Sequence, residues 1–377
     1  MKRVFITANT IVSPLGFTSD ENLQQIKNNS SAIQFYNNTE ILPNGFHAAI
    51  INEEKLNQNF QKSIVASDYT KLEKMMILSL QDTMACANFE ITDRTALLIA
   101  TTKGNIDTLN TKSKTSAHKA YLHVLGETIQ NHFQFKNEPI IVSNACVSGI
   151  LAVAVAKRLI QNGVYDNAFI VAGDVVSKFT LSGFHSFQAM SDSPCKPYSK
   201  YRNGITIGEA AASVAITSGS TSQNRIEIIG DGSCNDANHI SGPSRTGEGL
   251  YKSIVSSLEE ANVSAENIDF ISAHGTATLY NDEMEAVAFN RANLQRTPLH
   301  SLKGYYGHTL GASGLLEAIV GLHSMQNNML YTSLGMDELG VSKPLNIIQR
   351  NEKKNIRTFL KTASGFGGCN TAVLFKK

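Results

Sequence analysis

The stretch PIIVSNACVSGILAVAVAKRLIQNG, residues 139–163, decides the fold of this chain. It opens with β-branched apolar residues, continues through small polar residues, and ends in a run too apolar and regular for a loop. This pattern predicts a strand, a tight turn and a buried helix. Cys146 falls in the turn, where unpaired helix N–H groups and the positive end of the helix dipole favour a thiolate.

The residues around Cys146 favour a functional cysteine. The alternative is that Cys146 is only a small buried hydrophobe, as many cysteines are. Its neighbours Asn144, Ala145, Ser148 and Gly149 are small, so a bulky group can approach the sulfur. Since glycine costs a buried helix about 1 kcal/mol relative to alanine, we expect close packing or a functional reason at Gly149.

Composition limits the classes of protein to which this chain can belong. The chain has 377 residues, 42% hydrophobic and 17% charged, which is typical of a globular enzyme, and its net charge of +1 gives no indication of nucleic-acid binding. Its five cysteines lack a C-x-x-C pair, which argues against a disulfide framework and a zinc site and favours a reducing, cytoplasmic location. No apolar stretch is long enough to span a membrane, and the apolar run near the first residue is broken too early for a signal peptide.

Strands and helices alternate along the chain, and their order repeats. We predict strands at residues 4–6, 95–100, 140–142, 168–172, 209–216, 226–229, 269–272, 358–362 and 371–375. We predict helices at residues 21–28, 69–87, 247–261, 282–292 and 311–326, and a polar surface loop at 103–120. This alternation indicates an α/β protein with a mostly parallel sheet.

A small polar linker at 217–224 suggests two similar halves, residues 1–220 with the nucleophilic cysteine and residues 221–377. The segment PLHSLKGYYGHTLGASGLLEAIVGLHSM, residues 298–325, is the counterpart of the Cys146 unit in the second half.

Further polar groups stand where chemistry is expected. His274 follows a predicted strand, Lys303 and His308 lie in the turn before an apolar helix, and the loop SGFGGCN, residues 364–370, joins two strands. A thiolate nucleophile needs an acyl carbon to attack, N–H donors for the resulting oxyanion, and usually an imidazole. Cys146, the two histidines and the glycine-rich loop meet these needs. Because no Asp or Asn is evidently placed to complete a protease triad, acyl transfer to carbon is the favoured chemistry.

These motifs resemble those of the elongating β-ketoacyl synthases, condensing enzymes of the thiolase superfamily. The similarity runs from RVFITANTIVSPLG at the start to SGFGGCNTAVLF at the end and includes NACVSG, HGTATLYND and KGYYGHTLGASGLLEA. The resemblance implies a thiolase-like five-layered αβαβα fold of two pseudo-duplicated halves. It also implies no metal or cofactor, an acyl carrier protein as partner, and a homodimer or a heterodimer with a related subunit.

By the same resemblance, Cys146 takes an acyl chain from the carrier protein as a thioester. His274 and His308 hold the malonyl thioester and promote its decarboxylation, and the resulting enolate attacks the Cys146-bound acyl group. Lys303 and Glu317 support the site electrostatically, since a lysine paired with a carboxylate keeps its charge and keeps nearby imidazoles neutral.

The resemblance assigns the oxyanion hole to the backbone amides of Cys146 and Phe366, and it makes the Phe366 ring a gate over the nucleophile. The remaining expected site residues are a second supporting carboxylate and a group that contacts substrate: Asp282, and Thr276, Thr278, Gly365, Gly367 and Phe184.

The chain departs from the common family pattern at three positions. Asn144 and Cys369 stand where threonine is usual, and Ser364 stands where an aromatic residue is usual. Such departures suggest a specialised pathway, for example polyene or pigment assembly, rather than bulk fatty acid synthesis.

Two alternatives remain open. In a thiolase, Cys369 would be a second, acid/base cysteine. In a non-catalytic subunit that only shapes a chain-length pocket, the nucleophile would be replaced. We also expect a basic patch for the acidic carrier at Lys71, Lys74, Lys200 and Arg202.

Overall fold

The computed structural model describes residues 2–39, 41–62, 68–87, 89–110, 113, 115–219, 226–236, 238 and 240–377. The strands are β1 (Phe5–Val12), β2 (Gln34–Tyr36), β3 (Phe46–Ala49), β4 (Thr95–Ala100), β5 (Ile140–Val142), β6 (Asn167–Asp174), β7 (Ile207–Gly208), β8 (Ala210–Thr217), β9 (Ile226–Asn235), β10 (Phe270–Ser272), β11 (Pro298–His300), β12 (Met329–Leu330), β13 (Asn346–Ile347), β14 (Glu352–Lys353), β15 (Thr358–Gly365) and β16 (Cys369–Lys376).

The helices are α1 (Ser19–Lys27), α2 (Glu53–Gln61), α3 (Lys71–Cys86), α4 (Leu122–Phe133), α5 (Ser148–Gln161), α6 (Lys178–Ser186), α7 (Glu248–Ala261), α8 (Leu279–Arg291), α9 (Lys303–Tyr306) and α10 (Ser313–Asn327). Short 3-10 helices occur at Ile106–Leu109, Ala117–Ala120, Ala265–Asn267 and Leu310–Ala312. No helix in the described part of the chain is both long and apolar enough to cross a membrane.

The two halves have the same strand order. In the first half the strands lie side by side as β5-β4-β6-β8-β1, and in the second half as β11-β10-β15-β16-β9. Numbered by their sequence within each half, both orders are 3-2-4-5-1, with the pairs 2–3 and 2–4 parallel and the other two antiparallel. The predicted duplication is therefore present, but the sheet is mixed. One reason is that the short turn between β15 and β16 can join only antiparallel strands.

Five layers follow from the helix contacts. Helices α5 and α10 lie between the halves and contact strands of both, whereas α3 covers the outer face of the first half and α7 that of the second. This arrangement confirms the predicted αβαβα fold. The largest buried apolar cluster lies around α5 and α10, and separate clusters lie beneath α3 and beneath α7 and α8.

The central helices touch near their N-termini through glycines. A Cβ atom built on Gly149 would lie 2.6 Å from the carbonyl oxygen of Gly311 and 3.0 Å from the backbone nitrogen of Leu315. A Cβ atom on Gly314 would lie 3.0 Å from the Cβ of Ile150. Close helix packing is thus the reason for the glycine that the sequence places in this buried helix.

Several boundaries differ from the sequence prediction. Strands β1 and β9 extend well beyond the predicted 4–6 and 226–229, because polar residues inside them read as loop. Segment 103–120 is only partly a surface loop, since Asn105 is fully buried within it. The proposed boundary at 220/221 and most of the linker 217–224 lie outside the described residues.

Candidate active site

Three side chains from both halves of the chain converge on one point. The sulfur of Cys146 and a ring nitrogen of each of His274 and His308 all lie within 4.8 Å of one another, and the two imidazole centroids are 5.1 Å apart. These residues border a cavity of about 430 Å³. Five of the residues predicted to contact substrate or form the gate also line it: Phe184, Thr276, Thr278, Gly365 and Phe366.

A strained turn presents Cys146. Between β5 and α5, Ala145 has a left-handed backbone with φ of 44°, a conformation that costs a non-glycine residue energy and often marks functional sites. The Ser148 hydroxyl fixes the turn: it accepts a hydrogen bond from the Asn144 N–H (2.8 Å) and donates one to the Ala145 carbonyl (2.6 Å).

The Cys146 thiol is protonated in the resting site. Its residue is only 7% exposed, and burial raises the pKa of the thiol to about 12, with the neighbouring Cys369 adding to the shift. Burial therefore opposes the thiolate that the helix N-terminus is expected to favour. Helix α5 begins two residues after Cys146, so the positive end of its dipole acts on the sulfur against this desolvation.

His274 is held from three sides just after β10. Its backbone N–H donates to Glu285 Oε1 (2.9 Å), and its carbonyl accepts a hydrogen bond from Lys303 Nζ (2.5 Å). The same Lys303 ammonium lies 3.3 Å from the ring Nδ1 of His274. Because an ammonium has only protons to offer, Nδ1 is the acceptor and the ring proton is on Nε2.

His308 has the same tautomer for a different reason. The backbone N–H of Leu310 donates to its Nδ1 (3.2 Å), which leaves the ring proton on Nε2. The backbone N–H of His308 donates to the Thr206 carbonyl (2.6 Å). In the same turn, the Gly311 N–H donates to Asp174 Oδ2 (2.7 Å), which ties the turn to the first half of the chain.

Both imidazoles are neutral at ordinary pH. Burial lowers the pKa of His274 and of His308 well below the usual histidine value, and the Lys303 ammonium lowers both further. The prediction of neutral imidazoles is confirmed, although burial contributes more than the lysine. Each ring therefore has an Nε2–H available as a hydrogen-bond donor.

Lys303 belongs to a buried cluster of three charges. Its Nζ lies 2.7 Å from Glu317 Oε1, and the Nζ of Lys361 lies 2.6 Å from Glu317 Oε2. Burial alone would raise the pKa of Glu317, but the two ammonium groups hold it below its usual value. The predicted pairing of Lys303 with Glu317 is thus present, with a second lysine that the prediction did not include.

Asp282 supports the loop that follows His274. Its buried carboxylate accepts the N–H of Thr276 (2.9 Å) and the N–H of Tyr198 (2.8 Å). The hydroxyls of Thr276 and Thr278 are hydrogen-bonded to each other at 2.9 Å on the cavity wall. The supporting role predicted for Asp282 therefore has a structural basis in the backbone contacts of this loop.

Phe366, the predicted gate residue, lies on a glycine-rich loop beside Cys146. Phe366 is 37% exposed, and its ring centroid is 5.4 Å from that of Phe184 and 5.6 Å from that of Phe187. A Cβ atom built on Gly365 would lie 3.0 Å from the Cys146 backbone nitrogen, so this loop adjoins the proposed oxyanion hole. Gly367, expected to contact substrate, is not among the residues that line the cavity; its N–H donates to the Ile240 carbonyl (2.7 Å).

Cys369 connects the gate loop to the nucleophile turn. Its thiol contacts the Asn144 carbonyl at 3.7 Å and the Phe366 carbonyl at 3.5 Å, and burial raises its pKa to about 11. The nearby Ser364 hydroxyl donates to Asn370 Oδ1 (2.7 Å). The residues that depart from the common family pattern thus hold the loop by short-range hydrogen bonds.

Three functional-site residues were missed from the sequence: Asp174, Glu285 and Lys361. All three are charged and buried: Asp174 ends strand β6, Glu285 lies in helix α8, and Lys361 lies in the interior of strand β15. The one available signal was Lys361, a single lysine in the otherwise uncharged strand β15. A buried charge is retained only with partners, so this lysine indicates a buried group that pairs with it.

Among the described residues, Cys146, His274 and His308 form a group that could hold a metal ion, with one sulfur and two nitrogens. The Lys303 ammonium, 3.3 Å from His274 Nδ1, opposes a divalent cation by charge repulsion.

The expected basic patch is not a set of free surface cations. Lys71 forms an ion pair with the buried Glu209, and Lys74 donates to Asn57 Oδ1 (2.8 Å). Arg202 is buried and donates to the carbonyls of Ser199 and Gly340. Of the four predicted residues only Lys200 is well exposed, and it pairs with Glu338 at 3.1 Å.

Comparison with protein families matches nearly the whole chain. The family described as beta-ketoacyl synthase, N-terminal domain, matches residues 1–222, and beta-ketoacyl synthase, C-terminal domain, matches residues 226–337. The chain is similar to "3-oxoacyl-[acyl-carrier-protein] synthase 2" of Rhizobium meliloti, with 34% identity over 255 residues. That alignment covers 63% of this chain and 60% of the relative's length.

Solved structures share the fold. A beta-ketoacyl synthase from Burkholderia phymatum superimposes with a TM-score of 0.86 at 23% identity, covering 100% of both chains. The ketosynthase ApeO, solved in complex with its chain length factor ApeC from Xenorhabdus doucetiae, gives a TM-score of 0.84 at 23% identity, covering 100% of this chain and 98% of the other.

Proposed function

The chain belongs to the β-ketoacyl synthase family, and we propose that it is a β-ketoacyl-[acyl carrier protein] synthase, an acyltransferase that extends a carrier-bound acyl chain by decarboxylative condensation with a malonyl group. The observation that carries the proposal is the meeting of one cysteine thiol and two neutral imidazoles, all within 4.8 Å, at the wall of an apolar cavity.

The first step is acyl transfer to Cys146. Its sulfur attacks the thioester carbon of the acyl carrier, the bond to the carrier sulfur breaks, and the thiol proton leaves with the carrier thiol. Because burial raises the pKa of Cys146 to about 12, only a small fraction of the thiol loses its proton to water, and this thiolate attacks the thioester.

The second step is decarboxylation. The malonyl carboxylate leaves as CO₂, and its electron pair forms the enolate of the remaining acetyl thioester. The Nε2–H groups of His274 and His308 donate hydrogen bonds to the enolate oxygen. Because both rings are already neutral, they can do so without first losing a proton. Lys303, held by Glu317, keeps the His274 proton on Nε2.

The third step joins the two chains. The enolate carbon attacks the Cys146 thioester, and the oxyanion formed there is stabilised by the backbone amides of Cys146 and Phe366. Collapse expels the Cys146 thiolate, which regains a proton, and the β-ketoacyl product remains on the carrier. The Phe366 ring, packed on Phe184, covers the nucleophile until an acyl chain displaces it.

The partner is an acyl carrier protein, and the working form is a homodimer or a heterodimer with a related subunit. Strand β5 ends the series of strands beside the Cys146 turn, so a second subunit that extends the sheet would lie next to the site. The ketosynthase ApeO, a relative in fold, is solved with a chain length factor, which supports the heterodimer option. All five cysteines are free, as suits a cytoplasmic enzyme.

The alternatives have less support. A thiolase would direct a second cysteine at the reacting carbon, but the Cys369 thiol contacts two backbone carbonyls. A non-catalytic subunit would not need the intact set of Cys146 and two histidines. The pathway, fatty acid or specialised polyene and polyketide synthesis, depends on the acyl chain that the cavity accepts.

Product analysis tests the proposal. The purified protein is mixed with acyl and malonyl carrier protein, and we expect mass spectrometry to find a β-ketoacyl carrier lengthened by two carbons. Cys146→Ala should abolish the product, whereas Cys86→Ala, at an exposed cysteine far along α3, should not. Product from two acetyl-CoA molecules without malonyl would indicate a thiolase, and product only with a related subunit would indicate a partner role.

A further inference from the structure

Lys361 is a fully buried lysine that the reaction sequence above does not use. Its Nζ lies 2.6 Å from Glu317 Oε2 and 2.7 Å from the Thr362 carbonyl oxygen. Two further carbonyl oxygens, of Ser272 and Ala273, lie at 3.2 and 3.4 Å. All four partners are acceptors, and the Glu317 carboxylate favours the charged ammonium, whereas burial lowers the pKa of Lys361.

The contacts of Lys361 continue those of Lys303. Lys361 binds the carbonyls of Ser272 and Ala273, and Lys303 binds the carbonyl of the next residue, His274. Three consecutive carbonyls at the end of β10 are thus held by two lysines. Both lysines are in turn anchored on the single carboxylate of Glu317, one on each oxygen.

The register of the sheet places Lys361 at this point. Strands β10 and β15 are parallel neighbours, with Ser272 opposite Lys361. The same strand β15 leads, three residues further on, into the gate loop at Ser364. Lys361 therefore joins the backbone that presents His274 to the strand that carries the gate.

We propose that Lys361 is a positioning residue: its ammonium, bound to Glu317 and to the backbone just before His274, holds that imidazole in place for decarboxylation. This inference rests on the proposed function and names a residue on which that function depends.

Lys361 also determines the charge of the cluster. Two lysines and one glutamate give a net charge of +1, and replacing Lys361 by methionine makes the cluster neutral while keeping a side chain of similar length. The other charged or titratable groups around the two imidazoles and their turns stay unchanged: Lys103, Cys146, Asp174, Glu285, Lys303 and Glu317.

Removing this positive charge should raise the pKa of both imidazoles, because a nearby cation disfavours their protonated form. Decarboxylation needs neutral rings, so its rate should begin to fall at a higher pH in Lys361→Met than in the wild type as the solution is acidified. We also expect the decarboxylation kcat to drop about tenfold or more at neutral pH, as is typical when an outer partner of a site residue is removed. Acyl transfer to Cys146 should change by less than about twofold.

Lys157→Met is a matched control. Lys157 is another fully buried lysine, on helix α5, paired with Asp231 at 3.0 Å and with Glu260, away from the imidazoles. Its loss should lower stability as the loss of any buried ion-pair partner does, but should not move the pH profile. The proposal is overturned if Lys361→Met and Lys157→Met differ in neither the pH profile nor the ratio of decarboxylation to acyl transfer.

Two measurements need no turnover and so separate this inference from the proposed function. Nitrogen NMR of the histidine rings should show higher pKa values for His274 and His308 in Lys361→Met than in Lys157→Met. If the wild-type protein makes no β-ketoacyl product but this shift is seen, the proposed function fails, and only the electrostatic effect of Lys361 on the two imidazoles is established. If the wild type condenses and no shift is seen, Lys361 is only structural. If Lys361→Met does not fold, the charge of Lys361 is measured by NMR in the wild-type protein instead. A slowly exchanging Lys361 ammonium at pH 7 supports the proposal, and a neutral amine overturns it.

Discussion

The contact between the two central helices leads to a prediction at Gly149. The substitution Gly149→Ala places a methyl group 2.6 Å from the Gly311 carbonyl oxygen, whereas ordinary contact begins at 3.4 Å. The helices must therefore separate by about 0.8 Å. Gly149 lies three residues after Cys146, and Gly311 lies three residues after His308, so the separation moves the nucleophile away from an imidazole.

The expected effect on stability is small. Alanine improves helix propensity by about 1 kcal/mol, and overpacking of a buried contact costs about 1 to 3 kcal/mol. The net loss is then at most about 2 kcal/mol. With an unfolding entropy of about 2.1 cal/mol/K per residue over 377 residues, this lowers Tm by up to about 3 °C.

The expected effect on activity is large, because a displacement of about 1 Å between reacting groups can reduce the rate about a hundredfold. Condensation rate and thermal unfolding of Gly149→Ala are measured beside Gly183→Ala, a helical glycine on α6 with no atom within 4 Å of an added Cβ. The control should melt slightly above the wild type. The reasoning is refuted if Gly149→Ala also melts higher and condenses within twofold of the wild-type rate.

Three further predictions concern the reacting groups. Because the pKa of Cys146 is raised to about 12, its acylation rate should increase about tenfold per pH unit between pH 7 and 9; a plateau near pH 7 would mean that the helix N-terminus outweighs burial. His274→Ala or His308→Ala should depress decarboxylation and condensation while the acyl chain still transfers to the cysteine, and loss of acyl transfer alone would contradict these roles. Phe366→Ala should leave Tm within a few degrees, because the ring is partly exposed, yet change acyl-chain selectivity; a large drop in Tm with unchanged selectivity would make the ring structural.

Local patterns were sufficient to predict the elements that carry the reacting groups. The unit at 139–163 combines an apolar β-branched run, small turn residues and a long apolar helix, and the structure has a strand, turn and helix there. The histidines stand beside glycines after strands, and both lie where those motifs predict, at the cavity wall. Such signals can be read from the sequence because the residues that form each turn are close together in the chain.

The remainder depends on contacts between distant residues. Lys361 reaches Glu317 because β15 pairs with β10 in one register, and no pattern within β15 encodes that partner. The desolvation of Cys146 could not be predicted for the same reason, since the helix end is visible in the sequence and the desolvating neighbours are not. The predicted strand 226–229 is shorter than β9 because Asp231, in the interior of β9, is typical of a turn until its buried partner Lys157 is known.

The shared strand order explains why such long-range contacts meet at one place. The third strand of each half, β5 or β11, leads into a turn and then into a central helix, and the two helix ends touch at Gly149 and Gly311. The first turn carries the nucleophile, and the second carries Lys303 and His308.

The fourth strands, β6 and β15, then differ in charge. Asp174 at the end of β6 accepts the N–H of Gly311, and so holds the second turn from the first half. Lys361 in β15 donates to the carbonyls at the end of β10, and so holds the segment that bears His274. Because burying either charge without partners would destabilise the protein, each is retained only while it binds backbone of the site. The shared strand order thus brings the two turns together. The opposite charges on the equivalent strands β6 and β15 make the site asymmetric, because Asp174 accepts a hydrogen bond from the backbone and Lys361 donates hydrogen bonds to it.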